Sequence, residues 1–306
     1  MSKTAFLFPG QGVQKCGMGK DFYQNSPQAA GLYTQAGEAL GLDMTALCFE
    51  ENDRLDLTEY TQAALVTTCL AMCRELENHG IRPDMTAGLS LGEYAAIAAA
   101  GAMEDLDAIR LVRKRGMLMQ NTVPAGEGAM CAILALDEKK IEEVLEEIED
   151  VTIANYNCPG QIVITGKTEA VELAAVKLKE AGAKRTLMLN VSGPFHSPML
   201  KPAADILRRE LEQVSFHALN IPYVTNVNAS EVTDQTNITE LLVQQMYSPV
   251  RWKQSMEYML ANGVDTFVEI GPGKTLEGFL KKLDRNVKVL HVSCWEDLET
   301  VSQALK

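Results

Sequence analysis

Gly88-Leu89-Ser90-Leu91-Gly92, followed at once by a helix-forming run over residues 93–100, is the stretch on which fold and chemistry turn. A serine on a sharp turn between a strand end and a helix start needs neighbours without side chains, and Gly88 and Gly92 supply them. Such a turn projects the Ser90 hydroxyl outward. It also leaves the Leu91 amide in the first helical turn, where it lacks an intrahelical acceptor and can donate to an oxyanion. The same string fits a plain helix start with a serine cap, so the rest of the chain has to decide between the two readings.

Outward from this stretch, strands and helices alternate. Residues 4–8 read as a buried strand stopped by Pro9, followed by the loop Gly10-Gln11-Gly12-Val13-Gln14. That loop sits where α/β folds bind ligands, but Lys15 stands where a dinucleotide fingerprint needs its third glycine. Helices are expected over residues 27–41, with Ser26 as cap, and over 61–79 and 104–121; a short strand over 85–89 delivers Ser90 to its turn. Residues 128–189 change pattern to βαββαβ, the split ferredoxin-like order. Beyond them, Ser197 and Pro198 open a helix expected to reach residue 214. Further strands are expected over 221–225 and 265–270, and one over 287–291 closes the chain. The expected architecture is α/β: a large α/β-hydrolase-like domain with a mostly parallel sheet (residues 1–124 and 193–306) carrying an inserted ferredoxin-like domain (residues 125–192).

Composition sets limits on function. The 306 residues are 46% hydrophobic and 23% charged, as in a packed globular chain. With 28 Lys and Arg against 41 Asp and Glu the formal charge is −13, which disfavours nucleic acid as a partner. No stretch is long and apolar enough to span a membrane, and Met1-Ser2-Lys3 leads into the first strand without a signal-peptide pattern, so a cytoplasmic protein with no membrane partner is expected. The seven cysteines form no C-x-x-C pair, and the four histidines show no metal-ligand spacing; neither a disulfide framework nor a metal site is expected. Gly273-Lys274-Thr275 resembles the end of a nucleotide-binding loop, but Val268 occupies the position of its first glycine.

A serine nucleophile needs a base. Of the four histidines, His196 is the candidate, because Val191-Ser-Gly-Pro-Phe-His196 returns from the inserted unit, where a side chain can face the cleft; a histidine that only packs locally fits the same place. Arg115 would suit an acidic substrate, since a guanidinium grips a carboxylate with two parallel bonds. On spacing alone, a solvated basic face over residues 110–115 is the better reading.

Seven segments in order resemble malonyl-CoA:acyl carrier protein transacylases, and together they span the chain: Phe6-Leu-Phe-Pro-Gly-Gln-Gly12, Gly88-Leu-Ser-Leu-Gly-Glu-Tyr94, Arg115-Gly-Met-Leu-Met-Gln120, Asn155-Tyr-Asn-Cys-Pro-Gly-Gln161, Gly193-Pro-Phe-His196, Gln245-Met-Tyr-Ser-Pro249 and Glu269-Ile-Gly-Pro-Gly273. The resemblance implies Ser90 as nucleophile and His196 as base, the Gln11 and Leu91 amides as the oxyanion hole, and Arg115 as the holder of the malonyl carboxylate. It implies that Gln245 orients the histidine through its main-chain carbonyl, and that Asn155, Gln161 and Phe195 line the acyl pocket. Malonyl-CoA would be the substrate and the phosphopantetheine thiol of an acyl carrier protein the acceptor, with no permanently bound cofactor. The chain is expected to act as a free-standing monomer in fatty-acid synthesis.

The sequence departs from the family where Leu89 replaces the usual histidine and Val13 the common serine. A loading acyltransferase or editing hydrolase of a polyketide system is the nearest enzymatic alternative, and an inactive docking subunit the non-enzymatic one. Lys281, Lys282 and Arg285, or Lys177, Lys179 and Lys184, are candidate positive patches for an acidic carrier protein.

Overall fold

The computed structural model describes residues 2–191 and 193–305. Met1, Lys306 and Ser192, the last residue of the inserted unit in the sequence reading, lie outside the described residues. Ten strands are described: β1 (Lys3–Phe8), β2 (Met85–Gly88), β3 (Gly128–Leu134), β4 (Val151–Cys158), β5 (Gln161–Lys167), β6 (Arg185–Met188), β7 (Tyr223–Val224), β8 (Glu231–Val232), β9 (Val264–Ile270) and β10 (Lys288–Val292).

Six of them form one sheet in the order β10-β9-β1-β2-β7-β8. Its pairings are parallel except that of β7 with the short β8. β1 and β2 are buried along most of their length, as strands covered by helices on both faces must be. The other four strands form an antiparallel sheet in the order β4-β5-β3-β6, with helices Glu138–Leu145 and Thr168–Glu180 completing the ferredoxin-like order. Main-chain bonds join β4 to the segment that enters the helix Trp252–Ala261: Tyr156 N donates to Val250 O (2.9 Å), and Val250 N donates to Ala154 O (2.8 Å).

Local chemistry explains most helix ends. Ser26 Oγ accepts from Ala29 N at 3.0 Å, and Gly41, at φ 64°, closes the helix Pro27–Leu40. The helix Thr58–Asn78 starts three residues earlier than expected. It is buried on almost all sides over its first five turns, because it is wedged against helices Pro27–Leu40 and Asp105–Asn121.

Two expectations are corrected. Ser197 does not cap a helix; its Oγ donates to Pro194 O (2.7 Å), and a 3-10 turn, Pro198–Leu200, precedes the α-helix Lys201–Leu211. Pro202 is the reason, since it has no N–H to give to the Pro198 carbonyl and a continuous α-helix would lose that bond. Nor does the chain close on β10: the helix Asp297–Leu305 follows and buries Leu298 and Val301.

The elbow between β2 and the helix Gly92–Ala99 is packed backbone on backbone. A Cβ on Gly92 would lie 2.2 Å from Phe8 O, and one on Gly88 would lie 1.9 Å from the Gly92 carbonyl. Leu89 N donates to Phe8 O at 3.0 Å, so the elbow is pinned to the end of β1. Gly92→Ala is therefore expected to lower the unfolding free energy by about 1–3 kcal/mol, read from the urea midpoint. An unchanged midpoint would mean that the elbow can move off β1 without loss.

Candidate active site

Ser90 stands at φ 52°, in the left-handed region that a residue with a Cβ rarely adopts. The side chain of Asn226 clamps that conformation: Ser90 N donates to Asn226 Oδ1 (2.6 Å), and Asn226 Nδ2 donates to Gly88 O (2.7 Å). The serine-cap alternative fails here, because the hydroxyl faces His196 rather than a helical amide; Ser90 Oγ and His196 Nε2 are 2.7 Å apart.

His196 is only 3% exposed, and its Nδ1 lies 2.8 Å from the main-chain oxygen of Gln245. A carbonyl can only accept, so Nδ1 carries the proton and Nε2 presents its lone pair to the serine hydroxyl. Burial, reinforced by the nearby Arg115 charge, pushes the imidazole pKa down to about 3.

Arg115 is 0% exposed, against the solvated face that spacing favours. The helical pitch turns Leu111, Val112, Arg115, Gly116 and Met119 inward, while the side chain of Arg110 stays 54% exposed. Arg113 stacks on Tyr60 and pairs with Glu59 at 2.9 Å. The Arg115 guanidinium donates to Gln62 Oε1 (2.9 Å), to Gln245 Oε1 (3.1 Å) and to Ser90 Oγ (3.0 Å). Burial lowers its pKa, yet a guanidinium so held stays protonated. A fixed cation thus lies within bonding distance of the serine hydroxyl, where it can receive a carboxylate.

The backbone amides of Gln11 and Leu91 have no acceptor among the described residues, which leaves both available to a ligand oxygen. Ser90, His196, Gln11, Asn155 and Phe195 share a cavity of about 510 Å³, walled by the end of the parallel sheet on one side and by Met130, Asn155 and Val163 of the small sheet on the other. Gln161 does not line it; its Oε1 instead accepts from Lys282 Nζ at 3.3 Å. The helix Thr275–Leu283 adds Thr275, Leu276 and Phe279 to the wall, and Lys281 Nζ on it is engaged by Val287 O. A larger cavity, about 920 Å³ around the Arg74–Asp105 ion pair, contains none of these residues.

Three members of the site escape a reading of the sequence. Gln62 and Asn226 arrive from distant segments with no local signal. Glu93, adjacent to the elbow, reads as an ordinary first-turn acid, but it is 0% exposed, and its Oε2 accepts from Gln245 Nε2 at 2.7 Å.

An oriented serine–histidine pair at the carboxyl end of a mostly parallel sheet, beside a buried guanidinium, places the chain among the α/β acyltransferases. The sequence pattern described as "Acyl transferase domain" matches residues 5–292, and the chain belongs to this family. It is 48% identical over 311 residues to the malonyl CoA-acyl carrier protein transacylase of Bacillus subtilis (strain 168), covering 100% of this chain and 98% of that one. The transacylase of the same description from Clostridium perfringens superposes with a TM-score of 0.96 at 43% identity, over 99% of this chain and 97% of that one. A malonyl-transacylase in complex with its type II PKS acyl-carrier protein superposes with a TM-score of 0.96 at 39% identity, over 99% and 100%. Among the described residues no helix is long and apolar enough to cross a membrane.

The low pKa of His196 has two consequences. An NMR titration of its ring should find it neutral from pH 8 down to pH 5; a protonation step near 6.5 would count against the buried geometry. Because the folded value lies below the unfolded one, the unfolded chain binds the proton first. Stability is therefore expected to fall as pH drops below about 6.5.

Proposed function

We propose that the chain transfers a malonyl group from malonyl-CoA to the phosphopantetheine thiol of an acyl carrier protein through a seryl ester on Ser90. The observation that carries this reading is the placement of Ser90 Oγ between the imidazole nitrogen at 2.7 Å and the Arg115 guanidinium at 3.0 Å. One neighbour can take the hydroxyl proton, and the other selects an acyl group ending in a carboxylate.

Ser90 Oγ attacks the thioester carbonyl as His196 Nε2 accepts its proton. The carbonyl oxygen becomes an oxyanion facing the amides of Gln11 and Leu91. The C–S bond then breaks, the imidazolium returns the proton to the CoA sulfur, and malonyl-Ser90 remains. In the second half the carrier's thiol gives its proton to His196 and attacks the ester. The C–O bond breaks, and Ser90 recovers the proton. Gln245 contributes its carbonyl, which holds the imidazole in the tautomer both halves require. In the resting site an Arg115 N–H rests on the hydroxyl; a malonyl carboxylate offers that donor a charged acceptor and draws it away from the nucleophile. Asn155 and Phe195, at the cavity wall, limit the size of the acyl group; one extra methyl is worth only about 1–3 kcal/mol of discrimination.

Intact-protein mass spectrometry tests this directly. Malonyl-CoA should leave one malonyl adduct, absent in Ser90→Ala. Arg115→Ala should slow malonylation about a hundredfold, the loss of a charge-assisted pair, while acetylation from acetyl-CoA changes much less. A folded wild type that takes no malonyl group would refute the reading. The likeness to a malonyl-transacylase solved with a type II PKS acyl-carrier protein supports a polyketide carrier as a second candidate acceptor; transfer rates to fatty-acid and polyketide carriers, measured side by side, assign the pathway.

A further inference from the structure

Glu93 is a fully buried acidic side chain that the proposed chemistry does not use and that is nevertheless bonded to Gln245 of the site. It sits in the first turn of the helix Gly92–Ala99, three residues after the nucleophile, and its own amide donates to Ser90 O at 3.2 Å. The helix start favours a negative charge there, but complete burial of a carboxylate carries a desolvation cost that packing alone would not require. The surrounding bonds explain what the carboxylate does.

Its Oε2 accepts from Gln245 Nε2 (2.7 Å) and from the main-chain amide of Asn226 (3.2 Å). Each partner then holds a different part of the site. Asn226 clamps the left-handed Ser90 backbone through Ser90 N and Gly88 O. Gln245 Nε2 also donates to Ser90 O (2.9 Å), and its Oε1 accepts from the Arg115 guanidinium at 3.1 Å. The charged and titratable groups facing Glu93 are Arg115, Tyr94 and Tyr223. A side-chain amide can turn by half a revolution; the ionised carboxylate, which accepts from only the NH2 end, acts together with Ser90 O and the Arg115 donor to hold Gln245 in one orientation.

We infer that Glu93 is a positioning residue that, through the side chain of Gln245 and the backbone of Asn226, fixes the Arg115 fork relative to Ser90 and so sets the preference for acyl groups that carry a carboxylate. It touches neither the acyl group nor the reacting atoms. The inference deepens the malonyl-transfer reading and rests on it.

The test measures acyl-enzyme formation from malonyl-CoA and from acetyl-CoA by rapid quench and intact mass, in wild type, Glu93→Gln and Asn226→Ala. Glu93→Gln keeps the shape but replaces the acceptor-only carboxylate by an amide, which weakens the hold on Gln245 and leaves it to rely on the contacts with Ser90 O and Arg115. It should slow malonylation about tenfold and acetylation less, so that the malonyl-to-acetyl preference falls. Asn226→Ala loosens the elbow without touching Arg115, and both acylations should slow together with the preference kept. Wild-type preference in Glu93→Gln, whatever its absolute rate, overturns the inference. If Glu93→Gln does not fold, Glu93→Asp gives the same readout, since the charge remains and the oxygens withdraw by one methylene. No malonyl ester on wild type would remove the functional reading and this inference together; a malonyl ester on wild type with unchanged preference in the variant removes this inference alone.

Discussion

A serine held in the left-handed region is the constraint on which the rest of the site depends. A single non-glycine residue there costs about 1–3 kcal/mol, and the fold supplies compensation from three directions. Gly88 and Gly92 let the elbow touch β1 backbone to backbone, Leu89 N bonds to Phe8 O, and Asn226 takes the otherwise unpartnered Ser90 amide. The strained turn aims the hydroxyl at His196 while the next residue, Leu91, leads into the helix with its amide free.

The electrostatics follow from putting a cation and a base on the same hydroxyl. Arg115 would be expected to collect a carboxylate in so dry a place, yet its direct partners are the side chains of Gln62 and Gln245 and the hydroxyl of Ser90. Neutral acceptors engage its two terminal nitrogens without cancelling the charge, which stays available to an acidic acyl group. The same reasoning accounts for the carbonyl behind His196. An aspartate at that place would pair with the guanidinium as well as orient the ring. The Gln245 carbonyl orients the imidazole and adds no charge, and the nearby cation helps keep the ring neutral, with the Nε2 lone pair free.

The parallel sheet, the antiparallel unit and the elbow were legible in the sequence because each depends on local pattern: apolar runs, glycine spacing, and the βαββαβ order. The 3-10 turn at residues 198–200 was legible in principle, since two prolines four apart forbid a continuous α-helix between them, but a strong cap signal at Ser197 masks it. The terminal helix Asp297–Leu305 was less so: Leu298, Val301 and Leu305 keep helical spacing, but nine residues make a weak signal by themselves, and the helix is held by packing against β10 and the helix Thr58–Asn78. Arg115 illustrates the same limit at the site. Its neighbours Arg110, Arg113 and Lys114 give the helix a basic face on paper, and the sequence resemblance is what singles out the fully buried Arg115 from the partly buried and exposed ones. Gln62 and Asn226 carry no spacing signal at all, since glutamine and asparagine acquire their roles from whatever the fold brings opposite them.

The antiparallel sheet does more than wall the cavity. Pro194 packs so closely on the first residue of β3 that a Cβ on Gly128 would lie 2.4 Å from its ring. Leu189 N donates to Met130 O, so the chain leading to Phe195 and His196 is held against the small sheet ahead of the histidine, and Ser197 Oγ closes the loop on itself by donating to Pro194 O. His196 itself sits at φ 60°, a second left-handed residue that needs such support. Ser90 is fixed by the large sheet and His196 largely by the small one, yet they meet at 2.7 Å. The relative placement of the two sheets therefore sets the hydrogen bond at the centre of the site. The main-chain ladder through Val250 provides that placement, because it joins β4 to the segment that runs from Gln245, whose carbonyl receives the histidine, into the helix Trp252–Ala261. One short stretch of chain thus couples the seating of the small sheet to the orientation of the imidazole, and a shift of one carries the other with it.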